Sequence, residues 1–373
     1  MTSALAERLA ALPPMDVAGR TDRLRALLEE EGVDALLVTS LTNVRYLTGF
    51  TGSAGVLVVT AADALLVTDG RYTEQAADQL ASSGAPARLE ITATEQRRVV
   101  TDALAGAGRI GLEAEHVTWA AQRRYVQEWF ADQALVPTSG LVERLRRWKD
   151  AGELARMEAA AAVADTALAE LRPRLLDGPT EAEFALELDA TMRRLGATRP
   201  SFETIVASGP NGARPHARPS GRRITPGDLV VLDFGAVVDG YCSDMTRTVA
   251  VGEVDATAAR MLEVVTAAQA AGVAAVAPDV AATAVDAACR EVIADAGWAD
   301  AFTHGTGHGV GLDIHEAPRV GSTSDAVLGP GDVVTVEPGV YLPGHGGVRV
   351  EDTVVVTPEG CRPLTHSTKD PAP

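Results

Sequence analysis

Residues 226–235 read PGDLVVLDFG, and residues 330–339 read PGDVVTVEPG. The two stretches lie 104 residues apart and align Asp233 with Glu337. Each copy follows a helix-rich stretch. Each is followed by a second acidic strand, SDMTRT at 243–248 and VRVEDT at 348–353, whose acids Asp244 and Glu351 are offset by 107. PGD alone is a common turn before a strand. Acidic residues repeated in similar register go further, and predict two related helix-plus-sheet units in the second half of the chain. Pairing such units would turn two acidic strand pairs toward one shared site.

That site would be electrostatically demanding. Asp233 interrupts the apolar run LVVLDFG and Glu337 interrupts VVTVEPG. A carboxylate in such a run is costly to bury unless it is paired or metal-bound. Any one of them alone could be a strand-end carboxylate facing solvent. Four near one another would repel and raise their own pKa values. A pair of divalent cations would relieve that repulsion. Four carboxylates and one imidazole, His308, suit Mn²⁺, with Co²⁺, Fe²⁺ or Zn²⁺ as alternatives. Two metals about 3.5–4 Å apart can hold a bridging hydroxide and polarise a carbonyl, which makes metal-assisted hydrolysis the expected reaction class.

The histidines are a second signal. Residues 304–316 read HGTGHGVGLDIHE, with three histidines and four glycines in thirteen residues. Glycine lets backbone approach a ligand closely, and neutral imidazole is a common metal ligand or proton carrier. His216, in NGARPHARP, has weaker context, and His116, His345 and His366 read as structural or surface residues. The glycine run at 304–316 lacks the GxGxxG register, so no dinucleotide fingerprint is present there, and HEAPR at 315–319 is not HExxH. No GxxxxGK[ST] or GxSxG occurs, which leaves P-loop and nucleophile-elbow chemistries unsupported.

A length of 373 residues suggests two domains. Helical patterns at 21–31, from Tyr72, near Glu95 and over 118–130 alternate with strands at 35–39, 54–60, 64–68 and 109–113. This predicts an α/β domain over 1–150. A second domain, 151–373, opens with helices near 153–175 and at 181–195, the latter started by a Thr180–Glu183 capping box. Further helices at 255–275 and 280–296 lie among strands and Gly/Pro-rich turns, an α+β pattern.

A net charge of −18 argues against nucleic-acid binding. Lysine occurs only at 149 and 369, and arginine supplies the other basic residues, which reads as genome composition. Cys242, Cys289 and Cys361 are far apart and form no disulfide framework, consistent with a reducing compartment. No signal peptide and no membrane span are expected. A cytoplasmic location follows.

These residues resemble the pita-bread metallopeptidases of the aminopeptidase P and prolidase branch, over the whole chain. The resemblance implies that Asp233, Asp244, His308, Glu337 and Glu351 bind two metals, with Asp244 and Glu351 shared between them. It implies that Glu337 also shuttles a proton, and that His216 and His315 hold the scissile carbonyl and its oxyanion. His304 is similar to a substrate-pocket residue beside the proline. Arg349 resembles the arginine that orients a ligand carboxylate, here Asp233. TGFTGSAGVLVV (48–59) and TDGRYTEQA (68–76) resemble the amino-terminal domain shared by creatinase, prolidase and aminopeptidase P. Creatinase lacks the metal ligands and methionine aminopeptidases usually lack the extra domain, so both are disfavoured. The resemblance further implies proline-containing peptides as substrates and a homodimer.

Arg319, in HEAPR, could anchor the free carboxylate of an Xaa-Pro dipeptide or merely support its loop. Aminopeptidase P activity is the expectation, with Xaa-Pro dipeptidase as the alternative. A catalytically silent binding protein on the same fold stays open.

Overall fold

The computed structural model describes residues 3–373. The chain forms two compact units, Pro14–Arg146 and a second that joins the described residues up to Pro13 to Arg147–Pro373. The break thus falls at 146/147 rather than at 150/151. The helix Ser3–Ala10 belongs with the second unit because Leu5 and Leu9 pack into its core. Residues 147–149 are tied to the same unit by the Arg147–Asp332 ion pair and a Trp148–Asp332 bridge.

The first unit is a six-stranded mixed sheet flanked by helices. Its strand order is Arg88–Ile91, Ala64–Thr68, Val56–Thr60, Ala35–Val38, Arg109–Glu113 and Ala134–Thr138. The expected helix over 118–130 is α-helical only at Trp119–Arg124 and continues as a wider π turn, Tyr125–Trp129. The strand Ala134–Thr138 and the helix Leu41–Thr48 lacked a sequence signal strong enough to predict them. The helix is started by Ser40, whose hydroxyl accepts from Asn43 N, and stopped by Gly49 at φ 78°.

The second unit carries the repeat. Helix Ala151–Leu171 starts at Asp150, which shares a capping box with Glu153 and so begins the helix two residues early. It gives way to a 3₁₀ turn at Arg172–Asp177, which contains Pro173. The Thr180–Glu183 box starts helix Glu181–Arg194. These helices pack on the sheet of Ile205–Ser208, Leu229–Phe234 and Met245–Ala250. The second copy pairs helices Ala256–Ala275 and Ala282–Asp295 with a five-stranded sheet containing Gly307–Gly309, Val333–Val336 and Asp352–Thr357.

Strand alternation aims the acids. Val230, Leu232 and Phe234 enter the core beneath the first helix pair, so Asp233 faces the other side. Val334 and Val336 do the same under the second pair, so Glu337, next in the alternation, is turned to the other side. The hairpin between paired strands is longer in the second copy, which explains why one offset is 104 and the other 107. Asp244 and Glu351 each stand one residue before their strand rather than within it.

Candidate metal centre

The ends of the paired strands bring Asp233, Asp244 and Glu351 together, with one carboxylate oxygen from each within 4.8 Å of the others. His308 completes the cluster. Its Nε2 lies 3.5 Å from Asp244 Oδ2 and 3.4 Å from Glu337 Oε1. Gly307 makes that approach feasible, because a Cβ there would fall 2.0 Å from the carbonyl oxygen of Thr335.

The protonation pattern of His308 is decisive. Its Nδ1 lies 2.9 Å from the carbonyl oxygen of Gly309, an acceptor, so Nδ1 carries the proton. Burial holds the ring below its ordinary pKa, which keeps it neutral. Nε2 therefore points a lone pair at two carboxylates. Lone pair facing lone pair is unfavourable unless a shared proton or a cation lies between them.

The carboxylates make the same demand. Asp244 Oδ2 is near His308, while Asp233 Oδ1 and Glu351 Oε1 are buried without a hydrogen-bond partner. Burial, then the charges of Glu351, Asp233 and Glu337, raise the Asp244 pKa well above the carboxylate range. Burial, then Glu337 and Asp233, does the same to Glu351. Burial pushes Glu337 up to about 7. Hard oxygen donors, one imidazole nitrogen and uncompensated negative charge fit divalent cations.

Hydrogen bonds fix the remaining geometry. Arg349, almost fully buried, donates from Nη2 to Asp233 Oδ2 at 2.5 Å and from Nη1 to the Tyr341 hydroxyl at 2.8 Å. Its Nη1 also reaches the carbonyl of Pro215, at 3.3 Å, just before His216. Thr246 Oγ1 donates to Glu351 Oε2 at 2.7 Å, while Thr353 Oγ1 donates to the carbonyl of Asp244 at 2.8 Å. Each half of the repeat thus steadies an acid of the other half. Sequence reasoning missed these threonines, although each stands two residues after its ligand, in DMT and EDT.

A cleft of about 2080 Å³ opens over the cluster, lined among others by His216, His304, His315 and Arg319. The His315 ring lies 4.4 Å from that of His308, edge to face. Its pKa is lowered by burial, then by His308 and His216. His304 is more constrained than its sequence suggested. Nδ1 bonds the Gly305 carbonyl at 2.8 Å and Nε2 bonds the Tyr341 hydroxyl at 2.9 Å. Both ring nitrogens are engaged by the protein, and burial lowers its pKa to about 4. His304 therefore offers the cleft a ring surface, packed edge to face on Phe302. Tyr341, which joins Arg349 to His304, carried no sequence signal. His116, His345 and His366 are exposed and outside the cleft.

Among the described residues no helix is long and apolar enough to cross a membrane. Residues 20–148 match the creatinase/prolidase N-terminal domain, and residues 155–358 match metallopeptidase family M24. An Xaa-Pro dipeptidase of Pyrococcus furiosus is 32% identical over 352 residues, covering 94% of this chain and 99% of the relative. The structure of an Xaa-Pro dipeptidase from Bacillus anthracis superposes with a TM-score of 0.91 at 40% identity, covering 95% of this chain and 98% of the other. That of an X-Pro aminopeptidase from Thermotoga maritima gives 0.86 at 32% identity, covering 94% and 99%. The repeat, the acid cluster and these likenesses agree: the chain belongs to metallopeptidase family M24, in the branch of Xaa-Pro dipeptidases and aminopeptidases that carries the creatinase/prolidase N-terminal domain.

Proposed function

We propose that this chain hydrolyses the bond between an N-terminal residue and a following proline, acting on peptides longer than two residues as an aminopeptidase P. The observation that carries the hydrolytic reading is the lone pair of His308 Nε2 facing Asp244 and Glu337 across 3.4–3.5 Å. Asp233, Asp244, His308, Glu337 and Glu351 would hold two divalent ions. Manganese is the proposed metal, on ligand hardness. When bound, the ions supply Lewis-acid polarisation of the peptide carbonyl and a water activated at neutral pH.

The protein's own groups do the rest. Glu337, beside the cluster, takes the proton of the attacking water and returns it to the leaving proline nitrogen. His216 and His315 donate to the scissile carbonyl and its oxyanion, for which a neutral imidazole suffices. Arg349 holds Asp233 in its orientation. The proline ring, which lacks an amide donor, packs against the His304 ring surface. A homodimer and a cytoplasmic location belong to the same proposal.

The cleft supports the choice of longer peptides, since its volume is about twice that of the largest ordinary ligand pockets, about 1,000 Å³. Arg319 favours a second reading. It is exposed in the same cleft and forms no ion pair among the described residues, as expected of an anchor for a dipeptide carboxylate. The test strips the protein with chelator, restores Mn²⁺ and compares Xaa-Pro with Xaa-Pro-Yaa substrates. Faster turnover of the longer peptides is expected. Preference for the dipeptide would make it a prolidase with Arg319 as anchor. Turnover of neither, with any of the four candidate metals, would leave a silent binding protein.

A further inference from the structure

The chain writes 31 of its 33 basic residues as arginine, yet a lysine stands at 149. Lys149 is buried, with 1% of its side chain exposed, and its Nζ lies 3.1 Å from Glu316 Oε2. Glu316 follows His315 directly. Its carboxylate is also gripped from the other side, for Oε1 accepts the backbone N–H of Asp313 at 3.1 Å. Gly311 lies so close that a Cβ there would come within 2.5 Å of Oε2 and 2.6 Å of Oε1. The Gly311–Glu316 turn is thus wrapped around one carboxylate group. The ammonium that neutralises it comes from a segment fixed elsewhere: Lys149 N donates to Gly331 O at 3.0 Å, and Arg147 pairs with Asp332. An ammonium is a compact charge, suited to a space closed by backbone on several sides.

We propose that Lys149 is a positioning residue: through its ion pair with Glu316 it holds the 311–316 turn so that His315 meets the substrate carbonyl over the metal cluster. This rests on the role given above to His315. It does not require Lys149 to touch substrate, and Lys149 is absent from the cleft lining. Removing the ammonium deprives a nearly buried carboxylate of this ion pair. The turn then relaxes to hydrate it, and the histidine moves while the five acid and imidazole ligands stay.

The test is a double-mutant cycle on the metal-loaded protein, with an Xaa-Pro peptide as substrate. Lys149→Met and His315→Ala are made singly and together, and kcat, KM and metal content are measured for each. Lys149→Met is expected to lower kcat about tenfold in the parent, leave KM and metal content near the parent values, and lower kcat less than twofold in the His315→Ala background, because coupled residues are not additive. A purely structural role would not produce that loss of effect. Glu316→Gln, which keeps the size and the acceptor for Asp313, serves if Lys149→Met fails to fold, and is expected to show the same pattern. An equal fall in both backgrounds, full kcat in a folded Lys149→Met, or loss of metal in step with kcat would overturn the proposal. If His315→Ala alone keeps full turnover, the role of His315 fails first and the proposal with it.

Discussion

Replacing Arg349 by methionine should destabilise the metal-free protein far more than the metal-loaded one. The guanidinium, 3% exposed, makes four donations: to Asp233, Tyr341, Thr246 and the carbonyl of Pro215. Methionine keeps much of the volume and none of the donors. Asp233 Oδ2 would then be bare beside an Oδ1 that already lacks a partner. Breaking a buried pair by removing one member costs about 3–5 kcal/mol. In a unit of this size each kcal/mol moves the melting temperature by about 2–4 °C, so a fall of about 6–20 °C is expected after chelation. Bound cations compensate Asp233 from the other side, so the fall should shrink when metal is restored. The assay is thermal unfolding by circular dichroism, with chelator and with Mn²⁺, alongside metal content. Lys at 349 keeps the charge but not the fork, and should recover less than half of the loss. A metal-free Arg349→Met that melts within about 2 °C of the parent would refute the reasoning.

Metal-free stability should also depend on pH in a definite direction. The pKa values of Glu337, Asp244 and Glu351 are raised in the fold, so the native state binds more protons than the unfolded chain. Their contribution is complete below the unfolded carboxylate pKa and is lost as pH rises through about 7 for Glu337. Chelated protein should melt lower at about pH 8.5 than at about pH 7, a window above the ordinary histidine range where the lowered pKa values of His304, His308 and His315 add no opposing slope. A flat or rising profile would contradict this. Thr246→Val removes a donor to Glu351 and an acceptor for Arg349 with little change of shape. It should weaken metal binding about 10- to 100-fold, read by competition with a chelating dye. His315→Ala should reduce turnover much more than metal content, measured on the same preparation. Loss of metal in that variant would show that His315 had been misjudged.

The gathering of the acids was legible wherever it was written twice. The echo of PGDLVVLDFG in PGDVVTVEPG pointed to Asp233 and Glu337, and the following acids to Asp244 and Glu351. The structure brings all four to one place beside His308. The helices were legible where capping was explicit, as at Thr180–Glu183. What escaped was fixed by contacts remote in sequence. Tyr341 has no pattern of its own, and its importance comes from reaching Arg349 and His304 at once. His304 looked available to a substrate, but the carbonyl of Gly305 and the hydroxyl of the distant Tyr341 occupy both its nitrogens. The helix Leu41–Thr48 is short and depends on Ser40 and Gly49 at its ends rather than on a long apolar period. Lys149 was legible only as an oddity of composition until its carboxylate partner was in view.

The reciprocal grip of Thr246 and Thr353 reaches beyond the geometry of the cluster. Asp233 and Asp244 precede the connection at Gly252–Val254, while His308, Glu337 and Glu351 follow it. A nick in that connection would divide the chain into two fragments, each with an incomplete half-shell and one threonine made to serve the other. Their reassociation would then respond to the concentration of divalent ion, so that a cofactor for hydrolysis doubles as a clasp between two polypeptides.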